Sequence, residues 1–210
     1  MLTLILKRLH AAKSLKELVL ATTQLSQDDA IEALASESGV ACFRGAEIDV
    51  LDRYYHTACE FQATDIVRLT ADNPFVDGEF VDWTVEQYVS SDPSCDYAST
   101  ALSHTFPVGL SVEVFSFETL ARAWREDNQM EWREHVTPYI YRHPELFRVL
   151  SLNSPSDYSS MRWTVDTPED LTFVRMIYQQ FQNDQFSWQD VLRLLSDNPE
   201  LCRINADMHS

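Results

Sequence analysis

Three short apolar runs alternate with amphipathic segments in the first third of the chain, and this alternation constrains the fold more than any other feature. The runs are residues 17–21, 41–44 and 65–69, and the segments 28–36 and 49–61 between them repeat apolar residues at helical spacing. A run that is apolar throughout is typical of a strand covered on both faces, as in a parallel sheet. The pattern therefore predicts an α/β fold in which a mostly parallel sheet lies between two layers of helices.

The rest of the chain predicts further helices and strands around this sheet. Leu2, Ile5, Leu9 and Ala12 share one helical face, so the chain as given begins within a helix rather than with a strand. Further helices are expected at 78–90, through Leu120, at 133–141, at 168–181 and at 187–195, and further strands at 112–117, 148–152 and 161–165. The sequence contains no internal repeat, low-complexity tract or linker, which favours one domain with a helical C-terminal extension.

Composition and charge exclude several classes of protein. Of the 210 residues, 45% are hydrophobic and 11% aromatic, which excludes a disordered chain and provides for one large core. The formal net charge is -17 at pH 7, so the field of the protein repels polyanions and disfavours nonspecific binding to nucleic acid or to an anionic membrane. A small phosphorylated ligand stays compatible with this net charge, because a few arginines and a divalent cation can neutralise the ligand's phosphates locally.

The cysteines and the N-terminus indicate a cytoplasmic setting. Cys42, Cys59, Cys95 and Cys202 are widely spaced and include no CxxC pair, which argues against a zinc site and against a disulfide framework. The apolar residues of the N-terminus precede the basic ones, which is the wrong order for a signal peptide. No stretch approaches the length of a transmembrane helix. We therefore expect a protein of the reducing cytoplasm.

Two aspartates follow predicted strands. Asp72 lies just after the apolar run 65–69, and Asp166 lies between the predicted strand 161–165 and a helix that begins at Thr167 and Pro168. Ligands of open α/β sheets bind beyond the carboxyl ends of the strands, and two carboxylates on one edge can share a magnesium ion. The structural alternatives are an ordinary turn residue for Asp72 and an additional acid at a helix terminus for Asp166.

Five motifs of the chain occur in the order and spacing of a known family. They are FRGAEIDVLDRYY (43–55), VRLTADNPFVD (67–77), VEVFSFETL (112–120), REHVTPYIY (133–141) and RWTVDTPEDL (162–171). They resemble the spore coat polysaccharide biosynthesis protein F family of cytidylyltransferase-like proteins, which are relatives of the CMP-Kdo and CMP-sialic acid synthetases. The resemblance extends from Leu2 to about Phe181 and continues weakly beyond it.

The resemblance implies a three-layer nucleotidyltransferase domain over residues 1–183, with residues 184–210 as the helical extension. It implies a magnesium-dependent reaction in which a hydroxyl of a sugar acid attacks the α-phosphate of CTP and pyrophosphate leaves. The product, a CMP-sugar, would serve the synthesis of surface polysaccharide. Homodimers are common among the acylneuraminate-type relatives, so a homodimer is expected.

The resemblance also implies roles for eight residues. The catalytic and metal-binding residues would be Asp72 and Asp166, and the nucleotide-binding residues Arg44, Arg53, Arg68 and Thr70. The residues on the substrate side would be Glu113 and His135, of which His135 could be an acid/base or a sugar contact. Magnesium and arginine suit such a reaction, because the protein mainly positions the groups and stabilises charge on the phosphates. The alternative for the arginines is an ion-paired surface role, and for His135 a structural place in a helix.

Two departures from the family pattern support a rival hypothesis. Val108 and Ser111 replace two acids of the usual DGLDVE, and the chain as given begins at the helix that follows the family's first strand and phosphate-binding loop. Without that loop we expect weak binding of CTP, and without that strand we expect unpaired apolar edges that favour self-association. The rival hypothesis is a noncatalytic interaction or regulatory protein with the same fold.

Overall fold

The computed structural model of the protein describes residues 1–205. Its helices are α1 (Leu2–Leu9), α2 (Asp29–Glu37), α3 (Val50–Glu60), α4 (Gly78–Val89), α5 (Phe117–Glu126), α6 (Met130–His135), α7 (Pro138–Tyr141), α8 (Pro168–Gln180) and α9 (Trp188–Asp197). Its strands are β1 (Val19–Thr23), β2 (Ala41–Gly45), β3 (Asp65–Arg68), β4 (Tyr97–Ser99), β5 (Glu113–Ser116) and β6 (Val149–Ser151). Within these residues, no helix has the length and apolar character that crossing a membrane requires.

The strands form two sheets within the described residues. β1 and β2 pair in parallel, and the other strands are ordered β3-β5-β4-β6. β4 and β6 are parallel, whereas β5 runs antiparallel to both of its neighbours. The predicted strands at 17–21 and 65–69, which correspond to β1 and β3, therefore belong to different sheets.

Alternate residues of β5 show that helices cover both faces of the larger sheet. Val114 packs in one hydrophobic cluster and the next residue, Phe115, packs in another. Because successive side chains of a strand point to opposite faces, the two clusters lie on opposite sides of the sheet. The first cluster takes buried residues from α1, α4, α8 and α9, and the second from α3, α5 and α7. The expected three-layer α/β architecture is confirmed.

The segment after residue 183 packs in the same core as the preceding residues. Trp188, Val191 and Leu195 of α9 are buried in the first cluster. The main-chain N–H of Trp188 donates to Oδ2 of Asp77. Oδ1 of the same carboxylate accepts from the main-chain N–H of Phe80 at the start of α4. The predicted extension is therefore integrated with α4 as far as it is described, and residues 206–210 lie outside the described residues.

The strand predicted at 161–165 is not formed, and this part of the prediction was wrong. A single parallel bridge joins Arg162 to Val108. Within residues 1–205 no second pair follows this bridge, and the next residue, Gly109, has a φ of 105°, which belongs to the left-handed region. A Cβ at Gly109 would lie 2.5 Å from the Thr164 nitrogen, which shows how closely the two backbones approach.

The single helix predicted at 133–141 is instead two short helices, α6 and α7. Pro138 lacks a backbone N–H, so it cannot donate the hydrogen bond that would continue α6. Between the helices, Val136 has a φ of 71° and a ψ of -54°, and Thr137 N–H donates to the His135 carbonyl at 2.9 Å. The other predicted elements are confirmed, and their ends lie within two residues of the predicted positions except in α1, which ends at Leu9 rather than at Ala12.

Candidate active site at the sheet edge

The main chains that carry Asp72 and Asp166 are in direct contact. Val165 N–H donates to the Asp72 carbonyl at 2.9 Å, and the Thr164 hydroxyl approaches the same oxygen at 3.4 Å. Asp72 follows the end of β3, as predicted, whereas Asp166 follows an extended segment rather than a strand. Sequence positions 94 residues apart are thereby brought together at one edge of the sheet.

The loop after β3 holds one oxygen of the Asp72 carboxylate. The Thr70 hydroxyl donates to Asp72 Oδ1, and Asn73 Nδ2 donates to the Thr70 hydroxyl at 3.0 Å. Such local bonds from Thr and Asn side chains to a turn fix its conformation. The sequence placed Thr70 beside Asp72, and the structure shows a direct contact between the two side chains.

Asp166 lies at the start of α8, next to the helix cap. The Thr167 hydroxyl accepts from Asp170 N–H, and Pro168 occupies the first helical turn, as predicted. Arg162 Nη2 donates to Asp166 Oδ2 at 2.5 Å, while 53% of the Asp166 side chain stays exposed. The acid is thus held by one oxygen and faces solvent.

The two carboxylates fit a hard divalent cation such as Mg²⁺. Asp72 Oδ2 and Asp166 Oδ1 accept no hydrogen bond from residues 1–205, so each acid keeps one oxygen for a ligand. In the same residues, no group of three or more His, Cys, Asp or Glu side chains could hold a metal. An ion bound here would complete its shell with water and substrate oxygens, as Mg²⁺ does in phosphate-transferring sites.

Glu113 is the centre of a buried polar cluster next to this edge. Its Oε1 accepts from the Tyr97 hydroxyl at 2.5 Å and from the Thr137 hydroxyl at 2.6 Å, and Arg68 Nη1 donates to its Oε2. Only 7% of the Glu113 side chain and 16% of the Arg68 side chain are exposed. The two predicted ligand-binding residues are therefore paired with each other across β3 and β5.

Burial and charge shift the pKa values of this cluster. Burial raises the pKa of Tyr97, and the adjacent carboxylate of Glu113 raises it further. Burial lowers the pKa of Arg68, but the charge of Glu113 more than offsets that effect and the pKa is raised overall. Tyr97 is thus a neutral donor, and Arg68 and Glu113 form an ion pair. The cluster also anchors Thr137, the residue that follows the left-handed Val136.

Of the other predicted arginines, Arg44 lies in β2 and Arg53 lies in α3, the helix that follows β2. Arg44 Nη1 donates to Asp29 at 2.7 Å and to Glu32 at 2.8 Å, and its Nε donates to the Thr23 carbonyl at 2.8 Å. Arg53 Nη1 donates to the Ala46 carbonyl at 2.5 Å, and burial lowers its pKa. Arg44 thus has the ion-paired role named as the alternative. Arg44 is therefore part of the smaller sheet and Arg53 of the helix after it, and neither lies on β3, the strand that leads to Asp72.

His135 is exposed at the end of α6, two residues before Thr137. Its predicted contact with a sugar stays a prediction. Sequence reasoning missed Thr137 and Arg162 and gave Asp170 no role beyond its acidity. Arg162 lies four residues before Asp166 in the motif RWTVDTPEDL, and this spacing was the only signal for their ion pair.

Comparisons with known proteins agree with this fold. Residues 1–192 match the family model described as Cytidylyltransferase. The chain is 36% identical over 209 residues to an uncharacterized protein of Methanocaldococcus jannaschii, covering 99% of this chain and 84% of that protein. It is 33% identical over 192 residues to the Spore coat polysaccharide biosynthesis protein SpsF of Bacillus subtilis, covering 90% of this chain and 78% of that protein.

Solved structures share the architecture. A cytidylyltransferase from Leptospira borgpetersenii superposes with a TM-score of 0.92 at 29% identity, over 96% of this chain and 84% of that one. A CMP:2-keto-3-deoxy-manno-octonic acid synthetase complexed with CTP superposes with a TM-score of 0.58 at 16% identity, over 84% of this chain and 88% of that one. At that identity the second likeness shows the fold alone.

Proposed function

The chain belongs to the cytidylyltransferase family, and from this premise we propose that it transfers a cytidylyl group from CTP to a sugar acid. Pyrophosphate is released, and the CMP-sugar serves the synthesis of surface polysaccharide. The observation that carries the proposal is the hydrogen bond from Val165 N–H to the Asp72 carbonyl, which joins the segments of both acids. The family's description supports a cytidylyl group as the group transferred, and the name of SpsF supports a role in polysaccharide synthesis.

The proposed reaction forms a bond between the sugar hydroxyl oxygen and the α-phosphorus of CTP. The bond from that phosphorus to the β-phosphate oxygen breaks, pyrophosphate leaves with its electrons, and the hydroxyl proton passes to solvent. Mg²⁺ held by Asp72 and Asp166 would offset the negative charge of the phosphates. The residues of the chain have a positioning role, in which Thr70 fixes one oxygen of Asp72 and Arg162 fixes one oxygen of Asp166.

A second candidate function is a noncatalytic interaction protein with the same fold. The observation that favours it is the guanidinium of Arg44, whose donors are engaged by Asp29, Glu32 and the main chain. An arginine in this state must leave its partners before it can bind a phosphate. The two candidates differ in one measurable property, the release of pyrophosphate.

The test is an assay of pyrophosphate release at millimolar CTP with Mg²⁺ and a panel of sugar acids, with neutral sugars and the other nucleoside triphosphates as comparisons. Asp72→Asn and Asp166→Asn should each lower kcat roughly 100-fold or more, since a metal contributes several kcal/mol of charge stabilisation. Asp197→Asn changes an exposed acid of α9 and should leave kcat unchanged. If no sugar acid releases pyrophosphate although the chain binds CTP, the noncatalytic candidate is favoured.

A further inference from the structure

Asp170 makes many more hydrogen bonds than a helix cap requires. Its carboxylate accepts from Asp166 N–H at 3.1 Å, and from Thr167 N–H at 3.0 Å and Oγ1 at 2.9 Å. It also accepts from Arg162 Nε and Nη2, both at 3.2 Å, and from Asn205 Nδ2 at 2.9 Å. The side chain is fully buried. Four other residues are therefore fixed around one acid.

The same chain contains a capping box without these additional bonds. In α9, Asp190 accepts from Ser187 N–H and from its hydroxyl, both at 2.8 Å. Its remaining partner is Arg193, whose side chain is 76% exposed. A reciprocal cap of this kind satisfies the first amides of a helix. The contrast indicates that the additional bonds of Asp170 serve something other than capping.

Those additional bonds converge on Asp166. Asp170 binds the main-chain N–H of Asp166 directly and holds the guanidinium of Arg162, whose Nη2 reaches Asp166 Oδ2. Asn205 donates through Nδ2 to Asp170 and to the Arg162 carbonyl at 3.0 Å, so it holds both ends of this link. The backbone and one carboxylate oxygen of Asp166 are thus fixed by the same buried acid.

We propose that Asp170 is the positioning residue for Asp166, acting on its main chain directly and on its carboxylate through Arg162. The inference rests on the proposed function, in which Asp166 holds the divalent cation. By fixing Oδ2, the Asp170–Arg162 pair leaves Oδ1 as the oxygen offered to the ion. Partners that orient metal ligands in this way typically change metal affinity 10- to 100-fold when they are removed.

Arg162 would have the opposite effect if it were only a competitor for Asp166. Its guanidinium neutralises the acid and would repel a cation, so loosening the arginine would then strengthen metal binding. If it positions the acid, loosening it weakens metal binding. The direction of the change in metal affinity therefore separates the two roles, and a purely structural role predicts no change.

The experiment is a titration of the full chain with Mn²⁺, a spectroscopic substitute for Mg²⁺, with the free ion measured by electron paramagnetic resonance. Asp72→Asn should abolish the Mn²⁺ site. Asp170→Asn should lower the Mn²⁺ affinity of the same site by about 10- to 100-fold. Asp190→Asn, which alters the matching cap of α9, should leave the affinity unchanged. Thermal melting in the absence of metal shows which variants are folded at the temperature of the titration.

If Asp170→Asn does not fold, Arg162→Lys tests the contact of Arg162 with both Asp166 and Asp170. Lysine keeps the positive charge but lacks the forked guanidinium group that reaches two acids at once. Arg162→Lys should weaken Mn²⁺ binding by a similar factor. Unchanged or tighter binding in the folded variants would overturn the positioning role. If wild-type protein has no Mn²⁺ site that depends on Asp72, both the inference and the proposed function fail. If wild type has that site and the folded Asp170 and Arg162 variants keep its affinity, the inference alone fails.

Discussion

Glu113, which the resemblance assigns to the sugar side, organises the structure beside the site. It receives hydrogen bonds from Arg68, Tyr97 and Thr137, and its removal would leave the charge of Arg68 buried and unpaired. We expect Glu113→Ala to lower the free energy of unfolding by about 3–5 kcal/mol, as measured by urea denaturation. Glu60→Ala, at an exposed position of α3, should change it by less than about 0.5 kcal/mol. A loss below about 1 kcal/mol for Glu113→Ala would contradict the buried ion pair.

Asp170 gives the stability of the protein a defined dependence on pH. Burial raises its pKa, but hydrogen bonds from Asn205 and Arg162 more than offset that effect and lower the pKa to about 2, from an ordinary 3.8. Because the folded-state pKa is the lower one, the acid stabilises the fold fully above about pH 4 and this contribution is lost as the pH falls toward 2.

The contribution of this shift is about 2 kcal/mol. Urea denaturation of wild type and Asp170→Asn should therefore differ by a constant amount above about pH 5, and the difference should shrink as the pH falls below about 4. A difference that stays constant from neutral to acid pH would show that the carboxylate is not stabilised in the folded state.

The residues of the site differ in how far the sequence could predict them. The cap formed by Thr167 and Pro168 was predictable because it depends on neighbouring residues. The burial of Asp170 was not, because it requires Asn205, which lies 35 residues further along the chain. Likewise, the pairing of Arg68 with Glu113 depends on the register of β3 with β5, which no local pattern determines.

At the scale of elements, periodicity predicted the long helices and most of the strands, and it failed where two backbones meet closely. The segment 161–165 has the apolar character of a strand, but its pairing ends after one bridge, next to Gly109. The segment 133–141 has helical spacing, but Pro138 and the turn at Val136 divide it. In both cases a tertiary contact or a special backbone conformation overrides local propensity.

The last described α-helix, α9, provides an element-scale prediction. Leu195 is 3% exposed in the cluster that also contains Phe75 and Trp163. We expect Leu195→Ala to lower the free energy of unfolding of the whole protein by about 2–5 kcal/mol, in a single calorimetric transition. Val89→Ala, at a position that is 74% exposed, should have little effect. A separate low-temperature transition in Leu195→Ala would instead indicate an independent C-terminal extension.

At the scale of the whole molecule, the alternation of strands and helices predicted the three layers but not the order of the strands. The sequence does not show that β5 lies between β3 and β4, or that it runs antiparallel to both. Within residues 1–205, β1 pairs with β2 alone and β3 with β5 alone. Strand edges of this kind can pair with another chain, and the expected homodimer stays a prediction.

The central claim is that the edge of the sheet beyond β3 holds one divalent cation between Asp72 and Asp166. A crystal grown with Mn²⁺ and CTP tests it most directly, because anomalous scattering locates the ion independently of catalysis. The account predicts one peak bonded at about 2 Å to a carboxylate oxygen of each aspartate, and its loss in Asp72→Asn. A peak bonded to neither aspartate or to one of them alone would contradict the account.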